Sequence, residues 1–146
     1  MPRRKKAEKL APVPLHLIDT NVILRYLMGD DPEKSARTVS LMERVEQGQE
    51  IVEIPEAVVT EAVWTLESFY QVPRIEIAQN LTGLLSLVGV RTQWRETLLM
   101  ALQYYASSKA DFVDCLLAAF SKHKDLSVYT FDETDFRKLD IHWEKP

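Results

Sequence analysis

The order of apolar and polar positions predicts alternating strands and helices along residues 15–146. Short apolar runs between turn residues indicate buried strands, and longer segments with apolar residues every three or four positions indicate amphipathic helices. Strands are predicted at residues 15–19, 51–54, 88–91 and 127–130, with an edge strand at 141–143. Helices are predicted at residues 21–28, 30–47, 55–69, 74–88, 94–107, 112–123 and 135–139. This alternation is typical of an α/β domain built around a mostly parallel sheet.

Glycine and proline mark several of these boundaries. Gly29 and Gly48 are predicted to end the first two helices, and Pro55 suits the first turn of the third. Gly83 lies inside the fourth helix and weakens it. The chain shows no repeat, and residues 15–146 are expected to form one domain.

The composition fits a soluble globular protein. The 146 residues are 46% hydrophobic and 27% charged, as in an ordinary single domain. No segment approaches the roughly 20 apolar residues that span a bilayer, and the N-terminus lacks the apolar core of a secretory signal. The single cysteine, Cys115, fits a reducing compartment and is predicted to serve packing. We therefore expect a cytoplasmic protein without a membrane partner.

The charge is unevenly distributed. Residues 1–14 contain five basic residues against Glu8, a net charge of +4; since the whole chain carries −4, residues 15–146 carry −8. This basic arm is predicted to be disordered. It is interpreted either as a solvated tail or a misplaced start, or as an RNA-binding segment. The acidic body argues against a protein that coats nucleic acid and favours an enzyme that touches few phosphates.

Four acidic residues are placed where strands and helices would aim them at one point. Asp19 and Asp132 each follow a predicted strand, and ligands of open parallel sheets bind beyond the carboxyl ends of the strands. Glu61 and Asp114 lie at the margins of apolar helix faces. Two unit charges about 4 Å apart repel by roughly 4 kcal/mol at an effective dielectric near 20. A hard divalent cation would relieve this repulsion, and oxygen ligands select Mg²⁺ or Mn²⁺ over zinc.

The positions of Glu61 and Asp114 at the margins of apolar helix faces follow from helical periodicity, counted at about 100° per residue. In the helix 55–69 the predicted apolar side carries Val58, Val59, Ala62, Val63, Leu66 and Phe69. In the helix 112–123 the predicted buried face carries Val113, Leu116, Leu117 and Phe120. Asp114 falls at the edge of that face, whereas Asp111 points further towards solvent and is the better N-cap.

Supporting polar residues surround the last strand. In the segment Asp132-Glu133-Thr134-Asp135, Asp135 is either the cap of the last helix or a second acid that supports Asp132. Thr130 shares a strand face with Asp132 and could hold a water or a carboxylate. The three histidines have no metal-ligand spacing: His16 is predicted in a strand, and His123 and His142 at the surface.

Four motifs follow one another along the chain: Ile18-Asp19-Thr20-Asn21-Val22, Glu61-Ala62-Val63-Trp64, Asp111-Phe112-Val113-Asp114-Cys115-Leu116-Leu117-Ala118 and Thr130-Phe131-Asp132. In this order they resemble the motifs of a PIN-domain nuclease, and within that superfamily those of the VapC-type toxins of bacterial toxin–antitoxin pairs. They span about residues 15–143. The basic arm is not part of the usual toxin pattern.

The resemblance implies a three-layer α/β/α fold and an Mg²⁺- or Mn²⁺-dependent endoribonuclease. Asp19, Glu61, Asp114 and Asp132 then correspond to the acidic site, with Thr20 or Asn21 and Thr130 in supporting positions. It also implies a homodimer and a cognate antitoxin. We hypothesise that Asp19 and Asp114 bind the main metal, directly or through water. Glu61 and Asp132 would complete the site, bind a second ion or orient the attacking water.

Several alternatives stay open. Basic residues near the motifs are either phosphate contacts or ordinary solvated charges: Arg25, Lys109, Arg137 and Lys138. A haloacid-dehalogenase-type phosphatase would require a second aspartate where Asn21 stands, and a receiver domain would require a late lysine that the chain lacks. A housekeeping PIN nuclease in RNA processing and a catalytically silent PIN-like binding module are the remaining alternatives.

Overall fold

The computed structural model describes residues 11–146. The basic residues of the predicted arm lie outside this range. The elements are β1 (Leu15–Leu17), α1 (Thr20–Met28), α2 (Pro32–Glu46), β2 (Ile51–Glu53), α3 (Glu56–Ser68), α4 (Arg74–Leu85), β3 (Val90–Arg91), α5 (Arg95–Ser107), α6 (Phe112–Lys124), β4 (Val128–Tyr129), α7 (Glu133–Lys138) and β5 (Trp143–Glu144). None of these helices combines the length and the apolar character that a membrane span requires.

Within residues 11–146 every strand pairing is parallel. The first three strands form a sheet in the order β1-β2-β3, in which Leu17, Glu53 and Arg91 are register partners. A second ladder pairs β4 with β5, with Val128 opposite Trp143. The predicted α/β class with a parallel sheet is therefore confirmed. Because all strands of each ladder point the same way, residues that follow β1, β2 and β3 leave the sheet at one edge.

The helix boundaries predicted from glycine and proline are confirmed. Gly29 and Gly48 adopt φ of 63° and 71° beyond α1 and α2, a conformation that costs glycine little. Asp31 caps α2 by accepting a hydrogen bond from the Lys34 amide, directly before Pro32. The last helix begins two residues earlier than predicted, because Asp132 caps it instead of Asp135.

The buried apolar residues form one continuous core. Helix α6 packs on α5, and its fully buried side chains are mostly small: Cys115, Ala118 and Ala119. The predicted buried face of α6 was wrong at Val113, which is 52% exposed, and at Leu117. The periodicity counted the larger apolar residues, whereas the small ones are buried more deeply.

A similar correction applies to the end of α3. Val59, Ala62, Val63 and Leu66 are buried as predicted, but Phe69 is 74% exposed. Phe69 occupies the C-cap position, with φ and ψ of −92° and −49°. The helix ends before a further turn could bring this ring onto the core.

Arg74 connects α4 to the segment that precedes α6. Its guanidinium lies over the Tyr105 ring at 3.7 Å from the centroid. It donates hydrogen bonds to the carbonyl oxygens of Tyr105 and Ala110 and to the Glu67 carboxylate. Since Ala110 directly precedes the Asp111 N-cap of α6, Arg74 fixes the start of the helix that carries Asp114.

Substitution of Gly89 by alanine is expected to destabilise the protein. A Cβ at Gly89 would clash with the main-chain oxygens of Glu50 and Val45, the latter at 2.5 Å. Backbone atoms cannot move aside as a flexible side chain would, so we expect a loss of about 1–3 kcal/mol. Gly83 is the matched control, because a Cβ there meets nothing within 4 Å. Gly83→Ala should instead gain about 0.5–1 kcal/mol.

Urea unfolding of both variants measures this difference. A Gly89→Ala protein as stable as the wild type would contradict the close approach of the segment before β3 to the end of α2.

Candidate metal centre

Asp132 is held at the junction between β4 and α7. Its carboxylate accepts a hydrogen bond from the Thr134 amide at 3.2 Å, which caps α7. The Thr130 hydroxyl accepts from the Asp132 amide at 2.9 Å and donates to the Asp132 carbonyl at 3.2 Å. Thr130 therefore bonds the main chain of Asp132, whereas the sequence suggested that its hydroxyl holds a water or a carboxylate. This bonding leaves the second carboxylate oxygen of Asp132 available to a ligand.

Three carboxylates meet at this junction. Asp114, Asp132 and Asp135 each place one carboxylate oxygen within 4.8 Å of the others. Asp114 lies in the first turn of α6, and Asp135 lies in the first turn of α7. Asp132 is exposed, while the other two are half-buried. We call these three residues the acidic cluster.

Asp135 belongs to the cluster as a full member, not only as the supporting acid that the sequence suggested. It stands three residues after the Asp132 N-cap, at the position whose side chain reaches back towards the cap. The three-residue spacing of Asp132 and Asp135 could therefore have indicated that Asp135 joins the cluster. That inference requires knowing that Asp132, and not Asp135, caps α7.

Without a bound cation, the carboxylates of the acidic cluster repel one another. The pKa of Asp114 is raised by burial first, and then by repulsion from Asp135, Asp111 and Asp132. Among residues 11–146, no basic side chain forms an ion pair with a member of the cluster. A bound cation would relieve this repulsion. The donor set fits a hard divalent cation, because it consists of oxygen atoms only and includes neither histidine nor thiolate.

Asp19 and Glu61 lie at the neighbouring helices α1 and α3, outside the acidic cluster. Asp19 is the exposed N-cap residue of α1, and its side chain makes no capping hydrogen bond. Glu61 is also exposed, and its carboxylate accepts a hydrogen bond at 3.0 Å from the hydroxyl of buried Thr20. The residue after Asp19 therefore contacts Glu61 directly. Their participation in one site with the acidic cluster stays a prediction.

The remaining predicted residues divide into two groups. Asp111 occupies the N-cap position of α6 as expected but makes no side-chain capping bond, and Asn21 is exposed. Arg25 is paired with Asp30 at 2.7 Å, and Arg137 with Glu133 at 3.2 Å. Neither arginine is free for a phosphate as it stands. The exposed candidates without an ion pair in the described part of the chain are Lys109 and Lys138.

Cys115 is a packing residue, as predicted. It is fully buried, and its thiol lies 3.7 Å from the Ala110 carbonyl oxygen. Burial raises the pKa of this thiol to about 11, so the thiol is neutral near pH 7 and is not a nucleophile. His16 lies in β1, and His123 and His142 are exposed, also as predicted.

The raised pKa of Asp114 predicts a pH dependence of stability in the absence of metal. An acid whose folded pKa is raised stabilises the fold below its unfolded pKa of about 4, and this contribution is lost as the pH rises through the folded value. Asp30, Asp31 and Glu133 have lowered pKa values and act in the opposite direction. The contribution of Asp114 is therefore measured as the difference in the free energy of unfolding between the wild type and Asp114→Asn.

We expect Asp114→Asn to be more stable than the wild type in EDTA, by a margin that widens as the pH rises from about 4. Urea unfolding of both proteins across pH 4–7 tests this expectation. A margin that is constant or shrinks with rising pH would contradict the repulsion within the acidic cluster.

Comparison with known proteins agrees with this geometry. Residues 16–141 match the PIN domain family, a range that contains Asp19, Glu61 and the acidic cluster. The chain is also 26% identical over 132 residues to a VapC ribonuclease of Aquifex aeolicus (strain VF5). That alignment covers 90% of this chain and 97% of the relative.

Proposed function

Because this chain belongs to the PIN domain family, we propose that it is a divalent-metal-dependent endoribonuclease, the toxin of a toxin–antitoxin pair. Family membership and similarity to a VapC ribonuclease support a nuclease that acts on RNA. The observation that carries the metal dependence is the acidic cluster. Its three carboxylates lie within 4.8 Å of one another, and no ion pair to a described basic side chain offsets their charge.

In this proposal Asp114, Asp132 and Asp135 would hold Mg²⁺ or Mn²⁺, and Asp19 would add a further ligand. When bound, the cation would supply positive charge that offsets the carboxylates and the charge that develops on the scissile phosphate. Glu61 has one oxygen occupied by the Thr20 hydroxyl. Its remaining acceptor capacity would orient the attacking water and accept its proton. The water oxygen bonds to phosphorus as the ester P–O bond breaks.

The proposed protein partners are a second copy of the chain and an antitoxin. Apolar side chains on the surface of α3 support a docking surface of this kind. Trp64 and Phe69 are both exposed large hydrophobic residues on or next to this helix. Exposed apolar residues that cluster on one element often mark a protein interface.

The direct test is cleavage of RNA by the purified protein. We expect Mg²⁺-dependent internal cleavage of an oligoribonucleotide, while a DNA oligonucleotide of the same sequence stays intact. No cleavage of any RNA with Mg²⁺ or Mn²⁺ would overturn the nuclease.

Expression in a bacterial host tests whether the protein acts as a toxin. Growth arrest that a neighbouring gene product relieves would support it. Cleavage without growth arrest would favour a housekeeping nuclease.

A further inference from the structure

Two exposed aromatic side chains lie directly before Asp132. Tyr129 is 73% exposed and Phe131 is 84% exposed. The residues between and before them, Val128 and Thr130, are half-buried. Tyr129 ends β4, and Phe131 follows it by two residues in the bend before Asp132, so both rings face solvent beside the acidic cluster.

These two rings have no packing role in the described part of the chain. Neither belongs to the hydrophobic core or packs against it. A strand with one solvated side normally carries polar residues on that side. Two exposed aromatic residues next to a candidate active site therefore indicate a surface that binds a ligand.

The main chain around Phe131 is fixed on both sides. The Thr130 amide donates to the Glu144 carbonyl at 3.0 Å, which continues the β4–β5 ladder. The Thr130 hydroxyl bonds both the amide and the carbonyl of Asp132. Since these bonds are formed in the free protein, little chain ordering is required when Phe131 meets a ligand.

We propose that Tyr129 and Phe131 stack on unpaired bases of the RNA beside the scissile phosphate. The proposal rests on the ribonuclease function proposed above. RNA-binding sheets stack bases on outward-facing aromatic residues in this way, and every base offers a π-face, so stacking tolerates many sequences. Bases within a duplex are already stacked and do not reach these rings.

The charge distribution favours stacking over phosphate contacts at this position. Asp132 directly follows Phe131, Asp135 lies four residues after Phe131, and the nearby Arg137 is paired with Glu133. An acidic neighbourhood attracts no phosphate unless a cation is bound. Contacts between uncharged rings and bases supply affinity without adding charge, and they depend only weakly on salt.

The experiment compares four variants with the wild type. Phe131→Ala removes the ring, Phe131→Leu keeps an apolar side chain without a π-face, and Phe131→Trp keeps a stacking surface. Val88→Ala is the control, because Val88 is a comparably exposed apolar residue, 79% exposed, that precedes β3 at the edge of the sheet opposite the residues that follow the strands.

Two measurements are made on each. The first is kcat/KM on a single-stranded oligoribonucleotide and on the same sequence in a duplex. The second is binding of a 2-aminopurine-labelled single strand in Mg²⁺, on an Asp114→Asn background that prevents cleavage.

We expect Phe131→Ala and Phe131→Leu to lose about 5- to 150-fold in affinity and in kcat/KM, the range that one stacked base contributes. Quenching of 2-aminopurine fluorescence should be lost with them. Phe131→Trp and Val88→Ala should resemble the wild type, and thermal unfolding should be the same for all four. The wild type should prefer the single strand to the duplex.

Equal binding and cleavage by Phe131→Ala and Val88→Ala would overturn the stacking proposal while leaving the proposed nuclease activity intact. Full activity of Phe131→Leu, with a change of oligomeric state for Phe131→Ala, would assign the ring to a protein interface and overturn it too. A wild type that cleaves no RNA would instead overturn the nuclease itself, and the stacking proposal with it.

Discussion

The Asp114→Asn protein is expected to cleave RNA at least about 10²- to 10³-fold more slowly than the wild type, which is the loss seen when one group that stabilises transition-state charge is removed. The physical reason is that asparagine keeps the shape of the side chain but contributes no negative charge to the acidic cluster. The same substitution should raise the melting temperature in EDTA, because it removes a carboxylate whose pKa burial and repulsion raise. Loss of activity with a gain of stability separates a functional role from a folding defect.

Asp125→Asn is the matched control for this substitution. Asp125 lies at the opposite end of α6 from Asp114, as its C-cap residue, with a φ of 52°. Asparagine tolerates this left-handed conformation well, so the control changes the same charge on the same helix without strain. It should cleave RNA like the wild type. Retained cleavage by Asp114→Asn would remove the acidic cluster from the mechanism.

Removal of divalent cations should abolish RNA cleavage, and Mg²⁺ or Mn²⁺ should restore it. A cation that binds only the folded state also stabilises it, by about 2.7 kcal/mol at a hundred times its Kd. The melting temperature of the wild type should therefore rise with Mg²⁺ concentration. That of Asp114→Asn should rise much less, because one of the three clustered carboxylates is missing.

Sodium chloride at the same ionic strength is the control for this titration. Monovalent salt screens exposed charges without occupying a site, so it should reproduce neither the activity nor the full stabilisation. Cleavage that persists in EDTA after dialysis would show that the carboxylates act without a cation. An equal melting response of wild type and Asp114→Asn would place the cation elsewhere.

Local sequence signals predicted the boundaries of the fold well. Gly29, Gly48 and Asp31 mark the ends of helices through backbone conformation and capping, which depend on a few neighbouring residues. The four motifs predicted the PIN domain family, and the match of residues 16–141 confirms it together with the three-layer α/β/α class. The parallel sheet followed from the alternation of apolar runs with amphipathic segments.

Features that depend on packing between distant elements were predicted less well. The face that α6 buries carries small residues such as Ala118, which periodicity weighs less than Val113. The full role of Asp135 depends on where α7 begins, and that boundary was placed two residues too late. The exposure of Phe131 is invisible in the sequence, since phenylalanine after a strand normally indicates burial.

The guanidinium of Arg74 gives this protein a weak point outside the acidic cluster. It holds the carbonyl before α6, and it does so from another helix. An alanine scan would therefore score this arginine as important for activity although it is not a member of the cluster. The loss of activity would come from a misplaced Asp114. A small guanidinium salt added to the assay should therefore restore part of the activity of the alanine variant.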